Sequence, residues 1–138
     1  MINFSNGYVP IITIIRDGLH HLTSFMLDKE FPIAEKEKLI DLFQKCFECL
    51  KHFCEDNDKN QSILYPYIYL FLSHINFSLG QIPLICAIFK GNKALLEKID
   101  EKLIQKFISA IENEGRQAQF LDFFKVTFLA AIFEFFTR

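Results

Sequence analysis

Asn60-Gln61-Ser62-Ile63-Leu64-Tyr65-Pro66-Tyr67-Ile68-Tyr69-Leu70-Phe71-Leu72 is the stretch whose reading decides the fold. Ile63, Leu64, Tyr67, Ile68, Phe71, Leu72 and Ile75 recur at three- and four-residue steps, the spacing that lines one face of a helix. Asn60 is a candidate N-cap, because its side-chain oxygen can accept the free backbone N–H groups of a first turn. Pro66 conflicts with that start: beyond the first turn it lacks the N–H a helix needs and should kink it. If Tyr65 caps instead, Pro66 stands at a favourable first position and residues 60–64 are a linker. The reading preferred is a kinked or restarted helix that ends near His74.

Working outward toward the N-terminus, residues 8–27 carry Ile12, Ile15, Leu19, Leu22 and Met26 as a second helical stripe. Strand propensity in residues 11–15 and the bare backbone of Gly18 weaken its first turns, and Asp28-Lys29-Glu30 breaks it. Pro32 suits the first position of the next helix. Along it Leu39, Leu42, Phe43, Cys46, Cys49, Leu50 and Phe53 are expected to share one face, with Glu35, Lys38, Lys45 and Lys51 elsewhere. Glu55-Asp56-Asn57-Asp58-Lys59 is a run of turn-formers that stops it.

Toward the C-terminus, residues 76–81 with Gly80 read as a loop. Pro83 opens a short helix over Leu84, Ile85, Ile88 and Phe89, which Gly91 ends. Asn92 caps a piece of one or two turns through Leu96. Asp100 caps the next helix, whose stripe is Leu103, Ile104, Phe107, Ile108 and Ile111, with Gly115 as its stop. A last helix over residues 116–136 passes through Leu121, Phe124, Phe128 and Ala131 and is apolar nearly all round from Val126, so it needs neighbours on several sides. The expectation is an all-α fold of about six or seven helices, one module over residues 1–138, arranged as an irregular solenoid or bundle.

Composition narrows the function. The 138 residues are 51% hydrophobic, enough for one core. With 15 basic and 17 acidic residues the net charge is -2, which offers no general nucleic-acid surface. The 17 Phe and no Trp belong in cores and helix seams. The apolar runs at 11–15 and 126–136 are shorter than a bilayer requires, and the N-terminus shows no basic leader, so no direct membrane span is expected.

Cys46, Cys49 and Cys54 with His52 resemble a metal cluster on paper, since paired thiolates and imidazole suit zinc. Helical geometry argues against it: His52 points away from the Cys46–Cys49 face, and no second Cys/His pair stands at finger spacing. The cysteines read as reduced core thiols in a cytosolic setting. His20 and His21 diverge by about 100° on a helix and are expected to be one surface and one rim residue. No nucleophile with its base and no phosphate-cradling glycine loop is visible. No enzyme and no cofactor is implied.

Three blocks carry a family resemblance: Lys45-Cys46-Phe47 through Phe53-Cys54, Lys59-Asn60-Gln61 with Leu64, and Phe71-Leu72; Ile99-Asp100-Glu101-Lys102-Leu103-Ile104 with Phe107-Ile108; and Gly115-Arg116-Gln117-Ala118-Gln119-Phe120-Leu121 with Phe123-Phe124. Together they resemble the homology domain shared by ryanodine and inositol trisphosphate receptors, the RIH domain, and the inositol trisphosphate receptor type more closely. The resemblance runs over roughly residues 36–128. Pro66 and the Phe-rich end after Val126 depart from it. It implies an armadillo-like helical module of an intracellular calcium-release channel, on the cytosolic face of the endoplasmic reticulum, that relays ligand binding toward a pore lying outside this segment. Asn60, Gln61, Asp100, Gly115, Arg116 and Gln117 are its structural positions: caps, joints and inter-helix hydrogen bonds. The partners it implies are other helical repeats of a channel. The competing expectation is a generic cytoplasmic adaptor or homodimer, unrelated to calcium, that self-associates through its apolar C-terminal helix.

Overall fold

In the computed structural model of the chain, residues 6–74 and 77–114 are described, for the last five of these as backbone only. No strand occurs among them, and the fold is all-α. Helix α1 spans Tyr8–Leu27 and buries Ile12, Ile15, Leu19 and Leu22, so the β-branched start is overridden by the helical stripe. Gly18 has a packing role. A Cβ there would run into the ring of Phe43 on the next helix, so the missing side chain is what lets the two helices approach.

Helix α2, Ile33–Cys54, begins one residue after Pro32. It touches α1, α3 and α5, and that central place corrects its expected face. Phe43, Cys46, Phe47, Leu50 and Cys54 are buried. Leu42 and Cys49 are exposed, and Leu39 and Phe53 are half-buried. With α1 on one flank and α5 on the other, the buried arc turns toward Phe47 and Cys54, away from the stripe drawn through Leu42 and Cys49.

Asn57, not Asn60 or Tyr65, caps α3, which runs Asp58–Leu64. The turn after α2 is tighter than its run of polar residues suggests: Asp56 takes a left-handed φ of 53°, and Asn57 then accepts the N–H of Asn60 at 3.0 Å. The chain next passes through a 3-10 turn, Tyr65–Tyr67, and restarts as α4, Ile68–Leu72. Pro66 sits inside that 3-10 turn, where its missing N–H interrupts no long ladder. The kinked helix expected from Pro66 is thus an α–3-10–α elbow that buries Leu64, Ile68, Phe71 and Leu72.

Helix α5, Gln81–Phe89, starts two residues before Pro83. Proline is tolerated throughout a first turn, whose N–H groups have no partner within the helix. Gly80, at φ 97°, supplies the sharp entry. Asn92 caps the short α6, Lys93–Leu96. Helix α7, Glu101–Glu114, buries Leu103 and Phe107, and Asp100 accepts the N–H of Leu103 at 2.8 Å.

One core cluster joins these helices, with Phe43, Phe47, Phe71, Phe89 and Phe107 as its largest fully buried side chains. Phe47 and Phe71 meet edge to face at 5.9 Å. At the edge of the core, Tyr65 and Tyr69 stand four residues apart on the elbow, and Lys98 and Lys102 four residues apart across the start of α7. The pairs match in register, with Lys98 5.4 Å from the Tyr65 ring and Lys102 5.1 Å from that of Tyr69. These cation–π contacts tie the start of α7 to the elbow. No described helix is long and apolar enough to cross a membrane. The last helix expected over 116–136 lies outside the described residues.

Candidate functional site

Gln61, Gln81 and Asn92 are the buried polar residues among those described. A buried polar group without partners destabilises a fold strongly, so what these three hold is the first question to ask of the molecule. Gln61, completely buried, lies on α3 and faces the end of α5. Its Nε2 donates to Ala87 O at 2.8 Å and to Lys90 O at 2.9 Å. Its Oε1 accepts from Asn92 Nδ2 at 2.9 Å. Asn92 Oδ1 in turn accepts the N–H of Leu95 at 3.2 Å. Both amide hydrogens of Gln61 are used, and one side chain therefore holds the C-terminal carbonyls of α5 and orients the residue that caps α6.

Asn60 faces the other way. Its Nδ2 donates to Phe53 O at 2.7 Å, near the end of α2. Asn60 and Gln61 are adjacent, so on a helix their side chains diverge by about 100°. One reaches back to α2 and the other forward to α5. The dipeptide is the joint of the molecule, with Asn57 fixing where it starts.

Gln81 makes a second clamp that the sequence reading missed. Its Nε2 donates to Phe77 O at 2.9 Å and His74 O at 3.2 Å, and its Oε1 accepts the N–H of Leu79 at 2.9 Å. It ties down the segment that leads into α5. The available signal was a polar residue just after a turn glycine and directly before Ile82-Pro83-Leu84-Ile85.

The remaining candidates do not assemble into chemistry. Cys46 and Cys54 are buried and Cys49 is exposed, which corrects the placing of Cys49 in the core. Burial pushes the Cys54 thiol up to about 12, far from a reactive thiolate. His52 is exposed between Glu48 at 3.6 Å and Glu55 at 3.1 Å. His52 and Lys51 beside Glu55 hold its carboxyl below the usual carboxylate range. His20 and His21 are both exposed, so neither is a rim residue. No group of three or more potential metal ligands occurs among the described residues. A shallow groove of about 310 Å³ runs between α2 and α5, past Lys51, Glu55, Pro83, Ala87 and Lys90; its walls carry both signs of charge and select no single ligand chemistry. Of the six positions implied by the resemblance, Asn60, Gln61 and Asp100 fall at helix joints, while Gly115, Arg116 and Gln117 lie outside the described residues.

Residues 11–130 match the model of the RIH domain. Over 95 residues the chain is 30% identical to the inositol 1,4,5-trisphosphate receptor-like protein A of Dictyostelium discoideum, a stretch that is 64% of this chain and 3% of that relative. The chain thus corresponds to about 3% of the length of the curated relative it matches. No solved structure matches it.

Proposed function

Because the chain belongs to the RIH-domain family, we propose that it is a non-catalytic helical module of an intracellular ligand-gated calcium-release channel of the inositol trisphosphate receptor type. The observation that carries this is the family match over residues 11–130, with a relative whose name is that of such a receptor. In this reading the module works on the cytosolic face of the endoplasmic reticulum, and neither pore nor ligand site belongs to the segment. It relays conformational change by rigid-body displacement of packed helices. The geometry suits that task. Its helix ends are tied to one another by buried polar bonds, so a displaced helix carries its neighbours with it.

The test is made in cells that express the natural transcript. The transcript is expected to continue into a pore-forming segment, and Gln61→Leu in the full product should shift the inositol trisphosphate concentration that releases stored calcium. Transcripts that stop at Arg138, together with a purified chain that neither binds such a channel nor alters release, would overturn the reading.

One observation favours the adaptor reading as the second. Among the described residues, every exposed large apolar side chain except Tyr69 lies on α1 or α2: Val9, Ile14, Phe25, Leu27, Ile33 and Leu42. A hairpin so exposed suits a protein neighbour. Light scattering that shows a monomer at high concentration would remove self-association.

A further inference from the structure

Gly91 is where the chain can bend. Its φ is 66°, a left-handed value that glycine adopts readily, and nothing lies within 4 Å of where a Cβ would stand. It separates α5 from α6, while α7 is packed back on the elbow through Leu103 and Phe107. Free, such a corner would let α6 turn on its own between those two fixed parts.

The corner is bridged. Gln61 holds Lys90 O on one side of Gly91 and receives Asn92 Nδ2 on the other, at 2.9 Å each. The same Nε2 also holds Ala87 O one turn back in α5. Asn92 passes the constraint on, because its Oδ1 caps α6 at Leu95. Asn60 Nδ2, on Phe53 O, connects the bridge to the end of α2. Three short polar links therefore run from α2 through α3 to both flanks of one glycine.

We propose that Gly91 is a hinge and that Gln61 with Asn92 is its latch. With the latch closed, a displacement of α2 and α3 carries α5 and α6 as one body. With it open, the same displacement is absorbed as rotation about Gly91. Gln61 is a positioning residue in this scheme. The device gives the relay reading a moving part and rests on that reading only for what the motion serves.

Hydrogen exchange on the full 138-residue chain tests it without any channel. In Gln61→Leu, amides of residues 93–103 should exchange roughly tenfold faster, while those of residues 8–27 change less than about twofold. Asn92→Asp is the second variant. It keeps an acceptor for the N–H of Leu95 but turns the donor to Gln61 Oε1 into an acceptor, so it cuts the latch and spares the cap. It should give the same regional pattern, and it decides the matter if Gln61→Leu does not fold. A uniform rise along the chain would mean that Gln61 serves global stability alone, and unchanged exchange over residues 93–103 in Asn92→Asp would mean that no latch exists; either result overturns the proposal. Failure here leaves the channel reading standing, and failure of the calcium assay leaves the latch standing.

Discussion

Gln61 and Gln81 use the same hydrogen-bonding pattern over very different reach. Each is buried, each donates both amide hydrogens to backbone carbonyls, and each accepts one bond in return. Gln81 finds its partners 2, 4 and 7 residues away in sequence. Gln61 finds its partners 26, 29 and 31 residues away. The first arrangement shapes one connecting segment. The second joins two corners that the chain reaches by separate routes, and it closes only when α2, α3 and α5 are already in place. Chemical identity is therefore a poor guide to what a buried glutamine does; the sequence separation of its partners is the better one.

The largest expected effect comes from removing each clamp in turn. Gln61→Leu leaves Ala87 O and Asn92 Nδ2 without their partner in the interior and Lys90 O without it at the edge, and is expected to cost about 3 kcal/mol. Gln81→Leu frees His74 O, Phe77 O and Leu79 N. Two of its three bonds are only partly buried, so water can replace them, and the expected loss is about 1–2 kcal/mol. Urea titrations of the two variants beside the parent chain measure both. Equal losses, or a larger loss at Gln81, would break the comparison and leave reach without energetic meaning.

A smaller effect checks whether the α2 end of the seam is as dry as the clamp requires. Cys54, one residue on from the carbonyl that Asn60 holds, is fully buried. Burial raises its thiol to about 12, against an ordinary value of about 8.5. A folded-state pKa above the unfolded one means that the neutral thiol is favoured by folding. Its contribution is complete below about pH 8.5 and is lost as pH climbs toward 12. Between pH 7 and pH 10 the parent should therefore lose more stability than Cys54→Ala does. Cys49→Ala, at an exposed site, should track the parent. Parallel pH curves for the parent and Cys54→Ala would mean that water reaches this corner.

The same contrast explains what was legible in the sequence. Helix α1 could be read to both its ends, and the short α6 with its Asn92 cap was visible, because both depend on local spacing and local hydrogen bonds. The elbow at Pro66 was visible as a conflict between a stripe and a proline. Asn57 was hidden because it stands in a run of turn-formers, any of which could cap a helix. The buried face of α2 was misdrawn because it depends on having α1 and α5 on two sides, and periodicity alone assumes one. Gln61 was singled out by family resemblance, but its partners near Gly91 could not be read, since nothing local ties residue 61 to residues 87–92. Gln81, a polar residue at a turn, looked like ordinary loop.

The smallest effect separates the two faces of the joint. Asn57→Ala removes a cap and should cost about 1 kcal/mol. Asn60→Ala removes the bond to Phe53 O and should cost about the same. Neither size is distinctive, so the informative quantity is coupling. Asn60 and Gln61 hold the same short helix from opposite sides, and once Gln61→Leu has released α3 from α5 the bond from Asn60 to Phe53 O secures less. The double variant Asn60→Ala/Gln61→Leu should be less destabilised than the sum of its parts by about 0.5–1 kcal/mol. Asn60→Ala with Gln81→Leu should be additive, because the two side chains share no partner. A double-mutant cycle that finds additivity in both pairs would mean that α3 is two independent attachments, and that a displacement of α2 has no reason to pass through Asn60 and Gln61 to α5.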